Sequence, residues 1–308
     1  MSLDGLHHVT AITADAPGVT DFYARVLGLR LVKKTVNFDQ PDVYHLYFGD
    51  EEGAPGSILT FFEFPGVALG RAGEGMVHTI QWRVPDGDAI AFWQDRLRAE
   101  GVAVKPCTET AVRFCDPEGL RHELLAADVD DEPLVASCGE VPPEHALQGL
   151  HGVRAYARRP EACGSVLRAL GFDEAEEPSA WRLSGGRRQA ELRYDQAPPE
   201  RAHQGAGTVH HVAWAAADDA VLQAARRDVA ATGAHPTGLV DRQYFHSVYF
   251  REPGGVLFEL ASSDIGFAFD EAPQSLGEDL MLPPQYEDQR AELERRLTPL
   301  PNPRTATR

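Results

Sequence analysis

The sequence predicts an α+β fold of four βαβββ units, paired along the chain into two modules, each an open mixed sheet that forms a cup. Three observations carry this: a strand-like opening recurs four times, a helix exit recurs twice, and a strand–turn–strand closing recurs twice. The openings are Leu6-His7-His8-Val9-Thr10-Ala11-Ile12, Val77-His78-Thr79-Ile80-Gln81-Trp82, Leu150-His151-Gly152-Val153-Arg154-Ala155 and Val209-His210-His211-Val212-Ala213-Trp214.

Each opening is followed by a short turn-like stretch and then a helical pattern. In the first unit Val19, Phe22, Tyr23, Val26 and Leu27 recur at helix spacing and Gly28 closes the run. In the third, Cys163, Val166, Leu167 and Leu170 do the same before Gly171. The second and fourth units end alike: Phe114-Cys115-Asp116-Pro117-Glu118-Gly119 leads to His122-Glu123-Leu124, and Phe250-Arg251-Glu252-Pro253-Gly254-Gly255 leads to Phe258-Glu259-Leu260. A Pro/Gly turn between two strands accounts for both. The expected divisions are an N-terminal module over 1–127, a linker over 128–147 where Asp, Glu and Pro cluster, a C-terminal module over 148–265 and a tail over 266–308. In the tail a helical run is expected near Gln289–Leu297, and disorder over Pro299–Arg308.

Composition narrows the function. The chain of 308 residues is long enough for substantial cores. Its 47 acidic against 29 basic residues give a formal charge of −18, which argues against a nucleic-acid partner and is accounted for by solubility. No secretory signal is visible at Met1-Ser2-Leu3-Asp4-Gly5, and no apolar run approaches the roughly 18 residues that span a bilayer. Cys107, Cys115, Cys138 and Cys163 form no CxxC pair. A reduced, cytoplasmic protein with no membrane partner is the expectation.

Strand phase points to a metal. With period two, Leu6, His8, Thr10 and Ile12 share a face, as do Val209, His211 and Ala213, and Leu257, Glu259 and Ala261. Aligning the openings puts His8, Thr79, Gly152 and His211 in one column; aligning the closings puts Glu123 beside Glu259. Only units one and four carry histidine at the groove position. Two histidines and a carboxylate are the set that holds a divalent iron and leaves positions open. One metal per chain is therefore expected at His8, His211 and Glu259, with the other groove metal-free. Ligand type leaves Fe(II), Mn(II) and Zn(II) open. The histidines outside this set, including His45, His78, His122 and His151, are expected to be ordinary satisfied polar residues, and Glu123 a structural hydrogen-bonding group.

Over residues 4–263 the chain resembles the vicinal oxygen chelate superfamily of glyoxalases, fosfomycin-resistance proteins and extradiol dioxygenases, and within it the hydroquinone-type ring-cleaving dioxygenases. The residues that carry this are Gly5-Leu6-His7-His8-Val9-Thr10, Val209-His210-His211-Val212-Ala213-Trp214, and Asp241-Arg242-Gln243-Tyr244-Phe245 through Tyr249 to Glu259. The resemblance implies an Fe(II)-dependent ring-cleaving dioxygenase acting on a small dihydroxylated aromatic and dioxygen, with a hydroquinone as the implied substrate. It places His7, His210 and Thr10 behind the metal ligands, where they would orient them, and Arg242 and Tyr249 beside the substrate. Strict alternation instead turns His7 and His210 away from the groove, unless a bulge re-aims them. Arg242 could stabilise developing negative charge, or form a surface ion pair. Tyr249 could act as acid or base, or pack as a core aromatic, and His246 is a further acid–base candidate. Two other activities stay open on this scaffold: a glyoxalase-like isomerase or lyase, in which the metal acts as a Lewis acid, and a resistance protein that binds a ligand without chemistry. Homo-oligomerisation is also open.

Overall fold

The structure is a computed structural model that describes residues 3–137 and 140–303, with the side chains of Pro106 and Cys107 left out of the description. Cys138 and residues 304–308 of the tail lie outside the described residues.

Four βαβββ units follow one another. Unit one holds β1 (Leu6–Thr13), α1 (Ala16–Thr20) running into a π-turn (Asp21–Val26), β2 (Arg30–Asn37), β3 (Gln40–Gly49) and β4 (Ile58–Glu63). Unit two holds β5 (Val77–Val84), α2 (Gly87–Ala99), β6 (Lys105–Thr108), β7 (Ala111–Cys115) and β8 (Arg121–Ala126). Unit three holds β9 (Leu150–Ala157), α3 (Gly164–Ala169), β10 (Phe172–Glu174), β11 (Ala180–Ser184) and β12 (Gln189–Gln196). Unit four holds β13 (Thr208–Ala216), α4 (Asp219–Ala231), β14 (Val240–Asp241), β15 (His246–Arg251) and β16 (Leu257–Ser262). Helices α2 and α4 start on aspartate caps: Asp86 accepts from the Ala89 N–H and Asp218 from the Val221 N–H.

The sheets do not follow the order of the modules along the chain. One eight-stranded sheet runs β14-β15-β16-β13-β1-β4-β3-β2 and joins unit four to unit one; the other runs β10-β11-β12-β9-β5-β8-β7-β6 and joins unit three to unit two. Each is mixed, with one antiparallel seam where two units meet, β1 on β13 and β5 on β9. The inner faces of both sheets and the helices share one apolar core, which includes Val9, Trp82, Trp93, Val153, Leu167, Trp214 and Phe258. Inside it a hydrogen-bonded chain runs from the Trp82 indole to His122 Nδ1 (3.0 Å), then from His122 Nε2 to Tyr23 (2.8 Å), whose hydroxyl donates to Asp116 (3.0 Å). His122 is thus the satisfied core histidine that was expected.

Each seam carries two β-bulges. Along β1, Leu6 and His8 oppose the adjacent residues Trp214 and Ala213, so His7 is the extra residue. Along β13, His211 and Val209 oppose the adjacent residues Thr10 and Ala11, so His210 is the extra residue. In the second seam the same count leaves His78 and His151 as the extras. The histidine shared by all four openings therefore stands at one bulge position. A bulge re-aims the side chains around it, and strict alternation fails there: Leu6 belongs to the main core, not to the face of His8.

The tail straps the outer edge of the first sheet. Lys33 of β2, fully buried, makes ion pairs with Asp270 and Glu271, and its ammonium sits 4.9 Å from the centre of the Tyr244 ring. Gly277 crosses so close to β2 that a Cβ there would lie 2.0 Å from the Leu31 carbonyl oxygen. Tyr286 donates to the Phe38 carbonyl (2.8 Å), and α5 (Arg290–Arg296) falls within the run expected to be helical. Residues 299–303 have no helix or strand, yet Leu300 packs against the core. Replacing Lys33 by methionine would leave two carboxylates facing each other without their cation. We expect Lys33→Met to lower unfolding free energy by about 3 kcal/mol and to expose the tail to proteolysis. Urea denaturation and limited trypsin digestion check this; an unchanged midpoint contradicts it.

Candidate metal centre

Across the β1–β13 seam the groove face brings three electron-rich side chains to one point. His8 Nε2 lies 3.2 Å from His211 Nε2; Glu259 Oε2 lies 3.3 Å from the first and 2.8 Å from the second. All three residues are buried. Among the described residues they form the group of His, Cys, Asp and Glu side chains whose ligand atoms converge as a metal site requires. Three atoms bound at right angles to one ion, each about 2.1 Å from it, would be about 3.0 Å apart. The observed edges bracket that spacing.

Each bulged histidine is hydrogen-bonded to the ring of the next residue. His7 Nε2 lies 3.2 Å from the Ser262 carbonyl and must donate to it. Burial, helped by neighbouring His8, lowers the His7 pKa to about 3, so the ring is neutral and its Nδ1 is bare. His8 Nδ1, 2.9 Å away, then carries the proton and donates to His7, which turns His8 Nε2 toward the groove. His210 Nδ1 and His211 Nδ1 lie 2.8 Å apart and share one proton, and burial followed by the nearness of His211 lowers the His210 pKa to about 3. Burial also lowers the pKa of His211, against the pull of Glu259. For Glu259, burial alone would raise the pKa, but the two imidazoles hold it well below the carboxylate range. Its Oε1 accepts from Ser247 and from Tyr249 (3.1 Å), whereas Oε2 faces only the two imidazoles, with His211 Nε2 2.8 Å away. With Nε2 unprotonated on both rings, two lone pairs and a carboxylate oxygen would face one another, an arrangement that a cation between them stabilises. The donor set fits a divalent metal.

His8, His210, His211, Tyr249 and Glu259 line a cavity of about 460 Å³. Arg242 follows β14 directly. Its position is set by a tight turn in which Gln243 adopts φ +69° and the Arg242 N–H donates to the Phe245 carbonyl (3.0 Å). Its Nε donates to the Tyr249 hydroxyl (3.2 Å) and its Nη1 to Asp39 (3.2 Å). Burial opposes the Arg242 charge, but Tyr249 and Asp39 outweigh it, so the guanidinium stays cationic. Burial and then Glu259 raise the Tyr249 pKa, keeping the phenol protonated. Thr10, fully buried in β1, accepts from Thr60 Oγ1 (2.9 Å). The eight residues singled out from the sequence therefore meet here: His8, His211 and Glu259 at the centre, His7 and His210 against the imidazoles, Arg242 and Tyr249 on one wall, and Thr10 in the sheet beside them.

Two expectations fail. His246 does not reach the cavity; its Nδ1 pairs with Asp219 at the start of α4 (2.8 Å), because β15 turns alternate residues to opposite faces. His45 is not an incidental polar residue but lines the cavity, as do Tyr47, Phe62 and Phe245. The signal was present in Val43-Tyr44-His45-Leu46-Tyr47, where His45 and Tyr47 share a strand face, but nothing in that segment shows that β3 borders the metal-bearing seam.

The second groove differs in its chemistry. Glu123 accepts from Gln81 (2.7 Å) and Arg113 (2.6 Å), and Asp195 pairs with Arg154 (2.8 Å) and His78 (2.9 Å). At Gly152 any Cβ would stand 2.4 Å from the Glu191 carbonyl oxygen, so this column position has no room for a ligand side chain.

Comparison with known proteins gives the same picture. The family model of the glyoxalase/bleomycin resistance protein/dioxygenase superfamily matches residues 5–124 and 163–260. The chain is 41% identical over 96% of its length to MhqO of Bacillus subtilis (strain 168), provisionally named a ring-cleaving dioxygenase, and covers 96% of that protein. It is 35% identical to a chlorohydroquinone/hydroquinone 1,2-dioxygenase of Sphingobium indicum, over 94% of this chain and 95% of that one. A crystal structure of a Bacillus subtilis protein provisionally described as a dioxygenase superposes with a TM-score of 0.90 at 40% identity, covering 98% of both chains. Glyoxalase I from Zea mays, at 15% identity and a TM-score of 0.58 over 84% of this chain and 92% of its own, shares the fold. The chain belongs to the glyoxalase/bleomycin resistance protein/dioxygenase superfamily, among its ring-cleaving dioxygenases.

Proposed function

We propose that the chain uses Fe(II), held by His8, His211 and Glu259, to open the ring of a hydroquinone-type dihydroxybenzene with dioxygen. The observation that carries this reading is the buried convergence of two imidazole nitrogens and a carboxylate oxygen beside a cavity with room for one substituted benzene ring. The 35% identity to a protein named for hydroquinone cleavage favours a para-diol over a catechol. Overall, a ring carbon–carbon bond breaks and both oxygen atoms enter one product.

When bound, ferrous iron supplies the one-electron chemistry that lets dioxygen react with the ring, and a facial triad leaves it positions for both. The protein does the rest. His7 accepts the Nδ1 proton of His8, and His210 holds His211 through a hydrogen bond between their Nδ1 atoms, which turns both Nε2 atoms inward. Ser247 and Tyr249 donate to Glu259 Oε1, which leaves Oε2 for the cation. Arg242 presents a fixed positive charge at the cavity wall, where negative charge develops on the substrate oxygen as it loses its proton. Tyr249, bridging Arg242 and Glu259, is placed to pass a proton between substrate and carboxylate. Phe245, whose ring centre lies 5.0 Å from His7 and 5.3 Å from His8, screens these imidazoles from water. The glyoxalase-like alternative has less support, since Asp39, the other carboxylate of the cavity lining, is committed to Arg242.

Protein reconstituted anaerobically with Fe(II) is expected to consume oxygen with hydroquinone at least about tenfold faster than with catechol, measured with an oxygen electrode. Chelation by EDTA should abolish the uptake and Fe(II) should restore it; uptake that survives chelation contradicts the reading. A His211→Ala variant should lose both bound iron and turnover. His7→Leu keeps all three metal-binding groups but frees the His8 ring, and we expect its metal affinity to fall by about 10- to 100-fold. Equilibrium dialysis against Mn(II) reads this, and an unchanged affinity would show that His7 has no orienting role.

A further inference from the structure

Opposite the Arg242–Tyr249 wall lies a second polar wall that the proposed chemistry does not use. Strand register puts Tyr47, Thr60, Thr10 and His211 in one row across β3, β4, β1 and β13. His45, two residues before Tyr47, shares its face. The hydrogen bonds along this row have a direction. Thr60 Oγ1 donates to Thr10 Oγ1 (2.9 Å), so it accepts from His45 Nε2 (2.9 Å). Burial, and then the neighbouring His8, lower the His45 pKa well below the ordinary value, so the ring is neutral and its Nδ1 is bare. The Tyr47 hydroxyl, 2.8 Å away, must donate to that Nδ1. Burial and then Glu259 raise the Tyr47 pKa well above the ordinary phenol value, so that proton stays in place.

A phenol whose one proton is committed can only accept. The Tyr47 ring is locked in that pose by Phe267 (ring centres 4.9 Å apart) and Tyr244 (6.4 Å). The cavity therefore offers a donor on one wall, Arg242, and an acceptor on the other, Tyr47. A dihydroxybenzene has complementary ends: one oxygen that gives up its proton on binding, and a second that remains a hydroxyl donor. We propose that Tyr47, with its proton held by His45, accepts a hydrogen bond from the second hydroxyl of the substrate and so selects a free diol over its O-alkyl ether. His45 is the positioning residue: it touches Tyr47 and fixes its polarity. This rests on the hydroquinone reading of the site and names the group that reads the far end of the ring.

The test is anaerobic calorimetry on Fe(II)-loaded protein with two probes, hydroquinone and 4-methoxyphenol, which keeps the ring and one hydroxyl but cannot donate from the second oxygen. Wild-type protein should bind hydroquinone about tenfold or more tighter than the ether. Tyr47→Phe keeps the ring packing and should close that gap, by weakening hydroquinone about tenfold and leaving the ether within about twofold. His45→Leu should close it from the other side. With its proton released, Tyr47 can donate to the ether oxygen, so affinity for 4-methoxyphenol should rise relative to hydroquinone, which lost packing alone would not produce. A gap that persists in Tyr47→Phe, or an equal loss for both probes, overturns the assignment to Tyr47. If wild-type protein binds iron but consumes no oxygen with hydroquinone, the functional reading fails instead.

Discussion

The antiparallel seam between β1 and β13 is the constraint on which the site depends. It hydrogen-bonds the start of the chain to a strand some two hundred residues later, with Thr10 opposite His211 and His8 opposite Ala213. Each strand contributes one extra histidine at a bulge, and each bulge turns that histidine onto the ring of the next. A regular ladder would place His7 and His210 on the core side, where a polar ring needs other partners. The bulges instead join each pair through its Nδ1 atoms. With Glu259 arriving on the parallel neighbour β16, opposite Ala213, the set of three is closed.

The second seam shows what the backbone alone achieves. It has the same two bulges, and His78 and His151 occupy them. Yet its groove has Thr79 where the first has His8, Gly152 where the first has His211, and arginines that neutralise the acids facing it. His78 donates or accepts sideways, between Thr79 and Asp195, and stacks on Tyr156 with ring centres 3.8 Å apart. The repeated architecture therefore supplies a cup, and a few groove-facing side chains decide what the cup can hold. Function resides in those positions and not in the fold.

Much of this was legible in the sequence for a physical reason: repetition can be compared within one chain. Aligning four openings isolated His8 and His211, and aligning two closings isolated Glu259, with no knowledge of distances. What stayed hidden required register. That His7 and His210 sit on bulges depends on how β1 and β13 slide past each other, which neither strand encodes by itself. His45 and Tyr47 matter because β3 lies two strands from β1 in the sheet, a topological fact invisible in their local pattern. His246 misled for the converse reason, since it is close in sequence to Arg242 and Tyr249 but faces α4. After Ser262 the repeat ends, and nothing in the tail's Pro- and charge-rich composition shows that Asp270 and Glu271 are the counter-charges of a lysine buried in β2, a long-range pairing only the fold reveals.

The central claim is that one cation joins the two ends of the seam at His8, His211 and Glu259. Anomalous diffraction at the iron edge, from crystals loaded with Fe(II) without oxygen, tests it most directly. The account predicts a single strong peak within bonding distance, about 2.1 Å, of His8 Nε2, His211 Nε2 and Glu259 Oε2, and none at Glu123. A fully loaded crystal with no peak between those three atoms, or with a peak of equal height in the second groove, would contradict it.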